Sequence, residues 1–270
     1  MKYELNNRIY LYIILMYSAL LNFHGITYGI TWGLPAISYP DEPETISIII
    51  NMVRNFDLNP HNFLKPSLYY YLAQVILAPY YIYHSLFDSP NFVTHVVLIL
   101  RAASALFGTA TVAMTYLIGK EIHGEKSGLV ASSVLAVTLG FSTYAHFAYM
   151  DIPMLLLVSL TFYYSLLFLK TNKTKLLYLT CILGGLTVST KYNSGLVVIL
   201  IFIVCHLHRS IILYRKNYFS FGLFKNIFNS VFFVSGGLIG IAFFVGTPYA
   251  ILDFPTFIST LIKQMSITGG

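Results

Sequence analysis

The sequence predicts an all-α integral membrane protein, and three observations support that fold class. Of the 270 residues, 57% are hydrophobic and only 10% are charged, and the mean hydropathy is positive. A soluble domain of this size needs far more polar surface. Apolar runs long enough to cross a bilayer recur along the chain. The basic residues concentrate in the short segments between those runs, as they do in membrane proteins.

Seven apolar runs are predicted to span the membrane. The first resembles a signal peptide but is longer than a signal-peptide core, so we interpret it as a retained anchor. The seven runs cover residues 9–30, 92–118, 127–147, 153–170, 175–190, 194–208 and 227–247. We expect a single module over 1–270, with a first outer loop at 31–91 and a second outer loop beginning at 248–270. No polar tail follows, so we expect the module to be the N-terminal part of a longer protein.

The apolar stretch 66–87 decides the orientation of everything that follows it. If it does not cross, eleven of the 16 Lys and Arg residues lie inside and seven of the ten acids lie outside. The inner segments are then 1–8, 119–126, 170–175 and 208–226, and the outer acids are Asp41, Glu42, Glu44, Asp57, Asp88, Asp151 and Asp253. If it crosses, the Lys-rich segments face outward, against the positive-inside rule. We therefore predict an interfacial helix at 66–87, interrupted near Pro79, and a cytoplasmic N-terminus.

Ionisable groups, which are costly in so apolar a chain, cluster in the first outer loop. Between Tyr39 and Leu68 they are Asp41, Glu42, Glu44, Arg54, Asp57, His61 and Lys65. Pro43 suits the first turn of a helix, whose apolar stripe is formed by Ile46, Ile49, Ile50 and Val53. Other outer turns add His146, Asp151 and Lys191, and Arg101 lies near the outer end of the second span. Loops far apart in sequence thus deliver charge to one side, which predicts a site there.

Each of these residues also has a structural interpretation, which the sequence leaves open. Asp41 and Glu44 match a helix-capping pattern, and Asp151 is placed to cap the fourth span. Lys65 and Lys191 suit interfacial anchors. The two histidines, His61 and His146, suit solvated or satisfied groups.

The order of these segments resembles a known family. The pattern PDEPE, a helix and then NPHNFLKPSL is similar to the first outer loop of the polyprenyl-phosphate-sugar glycosyltransferases. That family includes the protein O-mannosyltransferases of glycosyltransferase family 39 and the lipid A aminoarabinose transferases. The resemblance implies a GT-C fold with about seven spans and two interfacial helices in the first outer loop. Ser67 departs from it, because the family has a second proline after Lys65-Pro66.

The resemblance implies roles for individual residues. Asp41, just after the first span, is the expected acceptor-activating base, with Glu42 beside it, and Asp151 matches a second family acid. A base and cations that stabilise a departing phosphate suit this chemistry. The expected phosphate-binding cations are Lys65, Arg101 and Lys191. His61 and His146 are candidates for acceptor contact or metal binding. A divalent metal is left open, because some relatives use one but no compact ligand spacing demands it.

The resemblance, with which these residue types agree, implies an inverting transferase on the extracytoplasmic side of the cell membrane. It would move a sugar from a polyprenyl-phosphate donor to a hydroxyl or phosphate of a protein, lipid or glycan. The net charge of +6 reflects the inner loops rather than a nucleic-acid partner. The alternatives are a transporter or flippase of lipid-linked intermediates, which predicts broken helices with charges near mid-membrane, and a non-catalytic scaffold.

Overall fold

The computed structural model describes residues 2–30, 41–87, 90–216 and 227–268. Within those ranges all regular structure is helical and no strand occurs, so the all-α prediction is confirmed. Asp88 and Lys225, which entered the charge argument, lie outside the described residues, as do residues 31–40 of the first loop.

Twelve α-helices and one short 3₁₀ turn make up the described part of the chain. The helices are α1 (Lys2–Phe23), α2 (Asp41–Arg54), α3 (Leu68–Phe87), α4 (Phe92–His123), α5 (Glu125–Ala136), α6 (Leu139–Ala145), α7 (Asp151–Thr171), α8 (Thr174–Thr190), α9 (Gly195–Lys216), α10 (Ser230–Gly246), α11 (Tyr249–Leu252) and α12 (Phe254–Thr268), with the 3₁₀ turn at Tyr192–Ser194. Gly124 alone separates α4 from α5, at φ 89°, a conformation that favours glycine. Such short links make successive helices antiparallel neighbours.

Polar contacts mark one end of the helix bundle, which we call the Lys120 end. The Asn7 side chain of α1 donates a hydrogen bond to Glu125 at the start of α5. Lys120, in the last turn of α4, pairs with Glu125 at 2.8 Å. Lys170, near the end of α7, pairs with Glu121 at 2.7 Å. The start of α1, the end of α4, the start of α5 and the end of α7 therefore meet here.

A second set of contacts marks the opposite end, which we call the Asp151 end. The His146 ring donates to backbone carbonyls at the end of α1. Lys191, after α8, contacts Asp151 at the start of α7. Ser189, near the end of α8, is hydrogen-bonded to Thr247, just after α10. Helices α1, α4, α7, α8, α9 and α10 and the α5–α6 pair thus run from one end to the other.

Length and hydropathy identify only some of these helices as membrane spans. Helices α4 and α7 and the segment Tyr192–Ile212 qualify, and α5 with α6, which are bent by 66°, make a fourth if they are counted together. Helices α8 and α10 are apolar, but each has 17 residues. The described helices support a membrane protein, whereas seven spans are not confirmed and stay a prediction.

Helix α3 begins and ends at the Asp151 end. Next to its start, the backbone N–H of Ser67 donates to the Thr247 hydroxyl at 3.3 Å. Near its end, the Tyr80 hydroxyl is hydrogen-bonded to His95 in the first turn of α4 at 3.0 Å. The helix continues through Pro79, so the predicted interruption there is wrong. Proline removes one bond of the helical ladder, and the turn after it packs against α4. The place of α3 in the interface stays a prediction.

Helix α2 packs against the bundle through its predicted apolar stripe. Ile46, Ile49 and Ile50 are buried against α3, α4 and residues 148–150. Glu44 lies on the opposite, exposed face. Because the stripe faces protein rather than lipid, the helix holds its first turn in a fixed place over the Asp151 end.

The outer faces of the bundle are apolar, while its interior allows close helix contacts. Tyr12, Leu196 and Val245 are 68%, 74% and 70% exposed, as suits a lipid-covered surface. Between α8 and α10, a Cβ atom on Gly185 would lie 2.3 Å from the carbonyl oxygen of Ile239. Such close approach at small residues is typical of helices packed in membranes.

Candidate active site

A buried ion pair connects the first outer loop to α4. The Arg101 guanidinium donates to both carboxylate oxygens of Glu42, at 2.8 and 2.6 Å, and neither side chain is more than 1% exposed. Arg101 also donates to the carbonyl oxygens of Ile26 and Tyr28. The backbone N–H of Ala148 donates to Glu42 at 2.8 Å. The pair therefore joins four segments of the chain at one point.

Burial commits Arg101 and Glu42 to each other. A buried charge is tolerated when a partner and further hydrogen bonds satisfy it, and both conditions are met here. Arg101 was predicted to bind a donor phosphate and Glu42 to join the catalysis. The charged atoms of both side chains contact protein groups, a geometry that suits a structural role, and the predicted functional roles stay predictions.

Asp41 lies at the start of α2, where its carboxylate faces the turn before α7. The Tyr149 hydroxyl donates to Oδ2 of Asp41 at 3.0 Å. The capping pattern with Glu44 does not form, since the Glu44 carboxylate accepts from Asn62 at 3.1 Å and Lys65 at 2.9 Å. Oδ1 of Asp41 has no hydrogen bond among the described residues. It is thus the carboxylate oxygen open to another group.

Asp151 and Lys191 form a contact between the start of α7 and the end of α8. The Lys191 ammonium donates to the Asp151 carboxylate, and the two side chains are 29% and 19% exposed. Met150 occupies the N-cap position of α7, and no side-chain cap bond is made there. The geometry therefore supports pairing with Lys191 over helix capping as the role of Asp151.

Both lysines lie over the same aromatic ring. The Lys65 ammonium is 4.9 Å from the centroid of the Tyr149 ring, and the Lys191 ammonium is 5.5 Å from it. At these distances a cation is attracted by the ring face. Four of the predicted site residues thus gather around one tyrosine. We call this group, Asp41, Lys65, Tyr149, Asp151 and Lys191, the Tyr149 cluster.

The two predicted histidines lie apart from these contacts. Nε2 of His61 contacts Asp57 at 2.7 Å on the exposed part of the loop. The Asn59 backbone N–H, followed by His61, holds the pKa of Asp57 below its ordinary value. Nε2 of His146 donates to carbonyls at the end of α1. No group of three His, Cys, Asp or Glu side chains suited to a metal ion occurs within the described ranges.

Ser67 has a structural explanation. Its backbone N–H donates to the hydroxyl of Thr247, and proline has no N–H to offer. The Thr247 hydroxyl is in turn hydrogen-bonded to Ser189 at 2.7 Å. Serine in place of the family's second proline therefore supplies an N–H that joins the loop carrying Lys65 to the ends of α8 and α10.

An apolar cavity opens beside the Tyr149 cluster. Its volume is about 190 Å³, and its walls include Leu68 of α3, Phe107 of α4, Pro153 of α7 and Thr190 of α8. Leu68 follows Lys65 by three residues, and Thr190 directly precedes Lys191. Charged groups and an apolar hollow thus lie next to each other where four helices meet.

Tyr149 is the residue that the sequence analysis missed. It lies two positions before Asp151, yet it is one of 22 tyrosines and carries no distinguishing spacing. Its position in a turn predicted to face outward was the only signal.

The fold and the candidate site define an all-helical membrane protein with an ionic cluster and an apolar cavity at one end of its bundle. A family model described as dolichyl-phosphate-mannose-protein mannosyltransferase matches residues 82–232, more than half of the chain. The chain therefore belongs to this family of membrane glycosyltransferases, which confirms the resemblance. The matched range contains Tyr149, Asp151 and Lys191, whereas Asp41 precedes it. No curated protein matches the sequence.

Proposed function

We propose that the chain is an inverting membrane glycosyltransferase whose active site is the Tyr149 cluster. It takes a sugar from a polyprenyl-phosphate donor and transfers it to an acceptor hydroxyl on the extracytoplasmic side. The observation that carries the proposal is the meeting of Asp41, Lys65, Asp151 and Lys191 around one buried ring. These are the acids and cations that such a transfer needs.

Asp41 is the proposed general base. The acceptor oxygen bonds to the anomeric carbon while its proton passes to Oδ1 of Asp41. The bond between that carbon and the phosphate oxygen breaks, and its electron pair leaves on the polyprenyl phosphate. A single displacement of this kind inverts the anomeric centre. The open Oδ1 and the fixed Oδ2 of the carboxylate support this assignment.

Lys65 and Lys191 are the proposed ligands of the donor phosphate. Each ammonium now contacts a carboxylate, Glu44 for Lys65 and Asp151 for Lys191. A phosphate brings its own negative charge, so it can share or replace these partners without leaving either cation unpaired. The negative charge that develops on the leaving phosphate then meets two fixed cations. The ion pair of Arg101 and Glu42 holds the turn that carries Tyr149 in place through the bond from Ala148 to Glu42.

The apolar cavity is the proposed entrance for the polyprenyl chain. It adjoins Lys191 and lies between α3, α4, α7 and α8, and its walls are apolar side chains. An isoprenoid chain that enters from the bilayer exchanges lipid contacts for these side chains, so it meets apolar surroundings in both places. A donor with its phosphate at the lysines and its chain in the cavity would present the sugar near Asp41.

Transfer from radiolabelled polyprenyl-phosphate sugars by membranes carrying the full chain tests the proposal. We expect Asp41→Asn to lower kcat by about 10²- to 10⁴-fold, the usual contribution of a general base. Glu125→Gln is the control, because Glu125 is an acid that pairs with Lys120 at the other end of the bundle. We expect its transfer rate to equal that of the wild type.

Two results would contradict the proposal in different ways. Equal transfer by wild type and Asp41→Asn would remove Asp41 from the mechanism. No transfer by folded wild type from any polyprenyl-phosphate sugar tested would remove the activity itself.

A further inference from the structure

Tyr149 is held rigidly in the turn between α6 and α7. Its backbone N–H donates to the carbonyl of Phe147 at 2.9 Å, and the preceding N–H, of Ala148, donates to Glu42. The buried Glu42–Arg101 pair therefore fixes the backbone on which Tyr149 stands. The side chain is only 4% exposed. A buried phenol with so little freedom can set the positions of the groups around it.

The hydroxyl group of Tyr149 orients the carboxylate of Asp41. It donates to Oδ2 at 3.0 Å, across 108 residues of sequence. A hydrogen bond to a charged acceptor is directional and stronger than one between neutral groups. With Oδ2 occupied, the carboxylate presents Oδ1 in one direction.

The ring of Tyr149 orients the two ammonium groups. Lys65 comes from the loop before α3 and Lys191 from the turn after α8, so no shared element holds them together. Each ammonium lies within 5.5 Å of the ring centroid, a distance at which the negative ring face attracts a cation. The ring thus gives lysines from two separate segments one shared contact.

We infer that Tyr149 is a positioning residue with two separable tasks, an inference that rests on the proposed function. Its hydroxyl aims the base at the acceptor, and its ring assembles the cations that bind the donor phosphate. It transfers no proton and forms no bond to the sugar. One rigid side chain thus aligns the acceptor half of the site with the donor half.

Two substitutions separate these tasks. Tyr149→Phe removes only the hydroxyl, so we expect kcat to fall about 10- to 100-fold, the range for a lost bond to a charged group, with the donor KM unchanged. Tyr149→Leu also removes the ring, so we expect the donor KM to rise about 3- to 30-fold as well. Tyr80→Phe is the control, because it also deletes one hydroxyl bond, to His95, away from the cluster. Its kinetic constants should match those of the wild type.

A double-mutant cycle distinguishes positioning from general support of the fold. If the hydroxyl acts through Asp41, adding Tyr149→Phe to Asp41→Asn should lower kcat no further. Likewise, adding Lys191→Gln to Tyr149→Leu should raise the donor KM less than Lys191→Gln does alone. The first cycle tests the task of the hydroxyl and the second tests the task of the ring, and a thermal unfolding curve for each variant shows that it is folded.

Several outcomes would overturn the inference while the proposed function stands. In the first, the wild type is active and Asp41→Asn is inactive, but Tyr149→Phe has the same kcat as the wild type. Another is strictly multiplicative losses in both cycles, which would indicate a structural role alone. An inactive wild type would instead be a failure of the proposed function.

Discussion

Arg101 donates to both carboxylate oxygens of Glu42 in a bidentate ion pair from which solvent is excluded. The two residues are 59 positions apart, one at the start of α2 and the other a third of the way along α4. The turn that carries Tyr149 is bonded to the same carboxylate through Ala148. The ion pair therefore holds the backbone of the turn that carries Tyr149.

Removing one partner of this pair is expected to unfold the outer part of the protein. Arg101→Met leaves Glu42 buried without a counter-ion, which costs about 3–5 kcal/mol. Thermal unfolding in detergent measures the loss, and the double variant Glu42→Gln, Arg101→Met should recover part of it. Lys120→Gln, which breaks an exposed pair with Glu125, is the control and should change little. A stable Arg101→Met protein with weakened donor binding would restore the phosphate role first predicted for Arg101.

Exchanging the charges of Asp151 and Lys191 separates pairing from phosphate binding. The double variant Asp151→Lys, Lys191→Asp keeps an ion pair, so we expect the thermal midpoint to stay close to that of the wild type. The cation moves away from the Tyr149 ring, so we expect the donor KM to rise about tenfold or more. Kinetics with a labelled donor and an unfolding curve on the same preparation check both. Restored activity in the exchanged protein would show that only the pair matters.

Filling the apolar cavity is expected to discriminate donors by chain length. Leu157 lines the cavity, and Leu157→Trp would occupy the space proposed for the polyprenyl chain. The tryptophan would remove the packing contacts between the cavity wall and the chain, so the KM for a long-chain donor should rise about tenfold, while a short-chain analogue should be unaffected. Leu200→Trp, on the exposed face of α9, is the matched control. An equal effect on both donors would contradict the assignment of the cavity.

The loop that carries Lys65 is expected to loosen only in strong acid. Asn59 donates through its backbone to Asp57 and through its side chain to Asp253, and these bonds are the first causes that hold both pKa values below the ordinary 3.8. A lowered carboxyl pKa adds stability that is complete above 3.8 and is lost as the pH falls through the lower folded value. Hydrogen exchange of residues 55–67, corrected for intrinsic rates, should be unchanged from pH 7 to about 5. Loss of protection between pH 7 and 5 would contradict this.

Thiol labelling tests whether α3 crosses the membrane. Phe56 precedes α3 and is 96% exposed, and Phe87, its last residue, is 67% exposed. We expect Phe56→Cys and Phe87→Cys to react with an impermeant reagent from the same side, and Lys126→Cys from the other. The native Cys181 and Cys205 are buried, so background labelling should be low. If Phe56→Cys and Phe87→Cys are labelled from opposite sides, α3 crosses the membrane and the prediction is wrong.

The sequence carries enough information to locate most of the site, because charge is rare in this chain. Asp41, Lys65, Asp151 and Lys191 were predicted from that scarcity and from the family resemblance, and the structure brings them together. Which ions pair is harder to predict, since pairing depends on tertiary contacts.

Helix periodicity does carry one signal that explains Glu42. It precedes Ile46 by four residues and Ile49 by seven, so it lies on the apolar stripe of α2 and must be buried with it. Asp41, one residue earlier, is rotated away from that stripe toward Tyr149. Arg101 lies within the apolar run of α4, where a charge is costly, and this cost led to the prediction of a functional role for it. No local sequence pattern indicates the role of Tyr149, because that role depends on contacts with Lys65 and Lys191, which lie in two distant segments.

The bond between Ser67 and Thr247 also bears on how the protein is made. The two residues are 180 positions apart, so when the ribosome has completed Ser67 its partner does not yet exist. This anchor of the loop that carries Lys65 therefore forms only after Thr247 has been synthesised. A product of translation that ends between Lys191 and Thr247 would carry all five residues of the Tyr149 cluster but lack this bond between the loop and the end of α10.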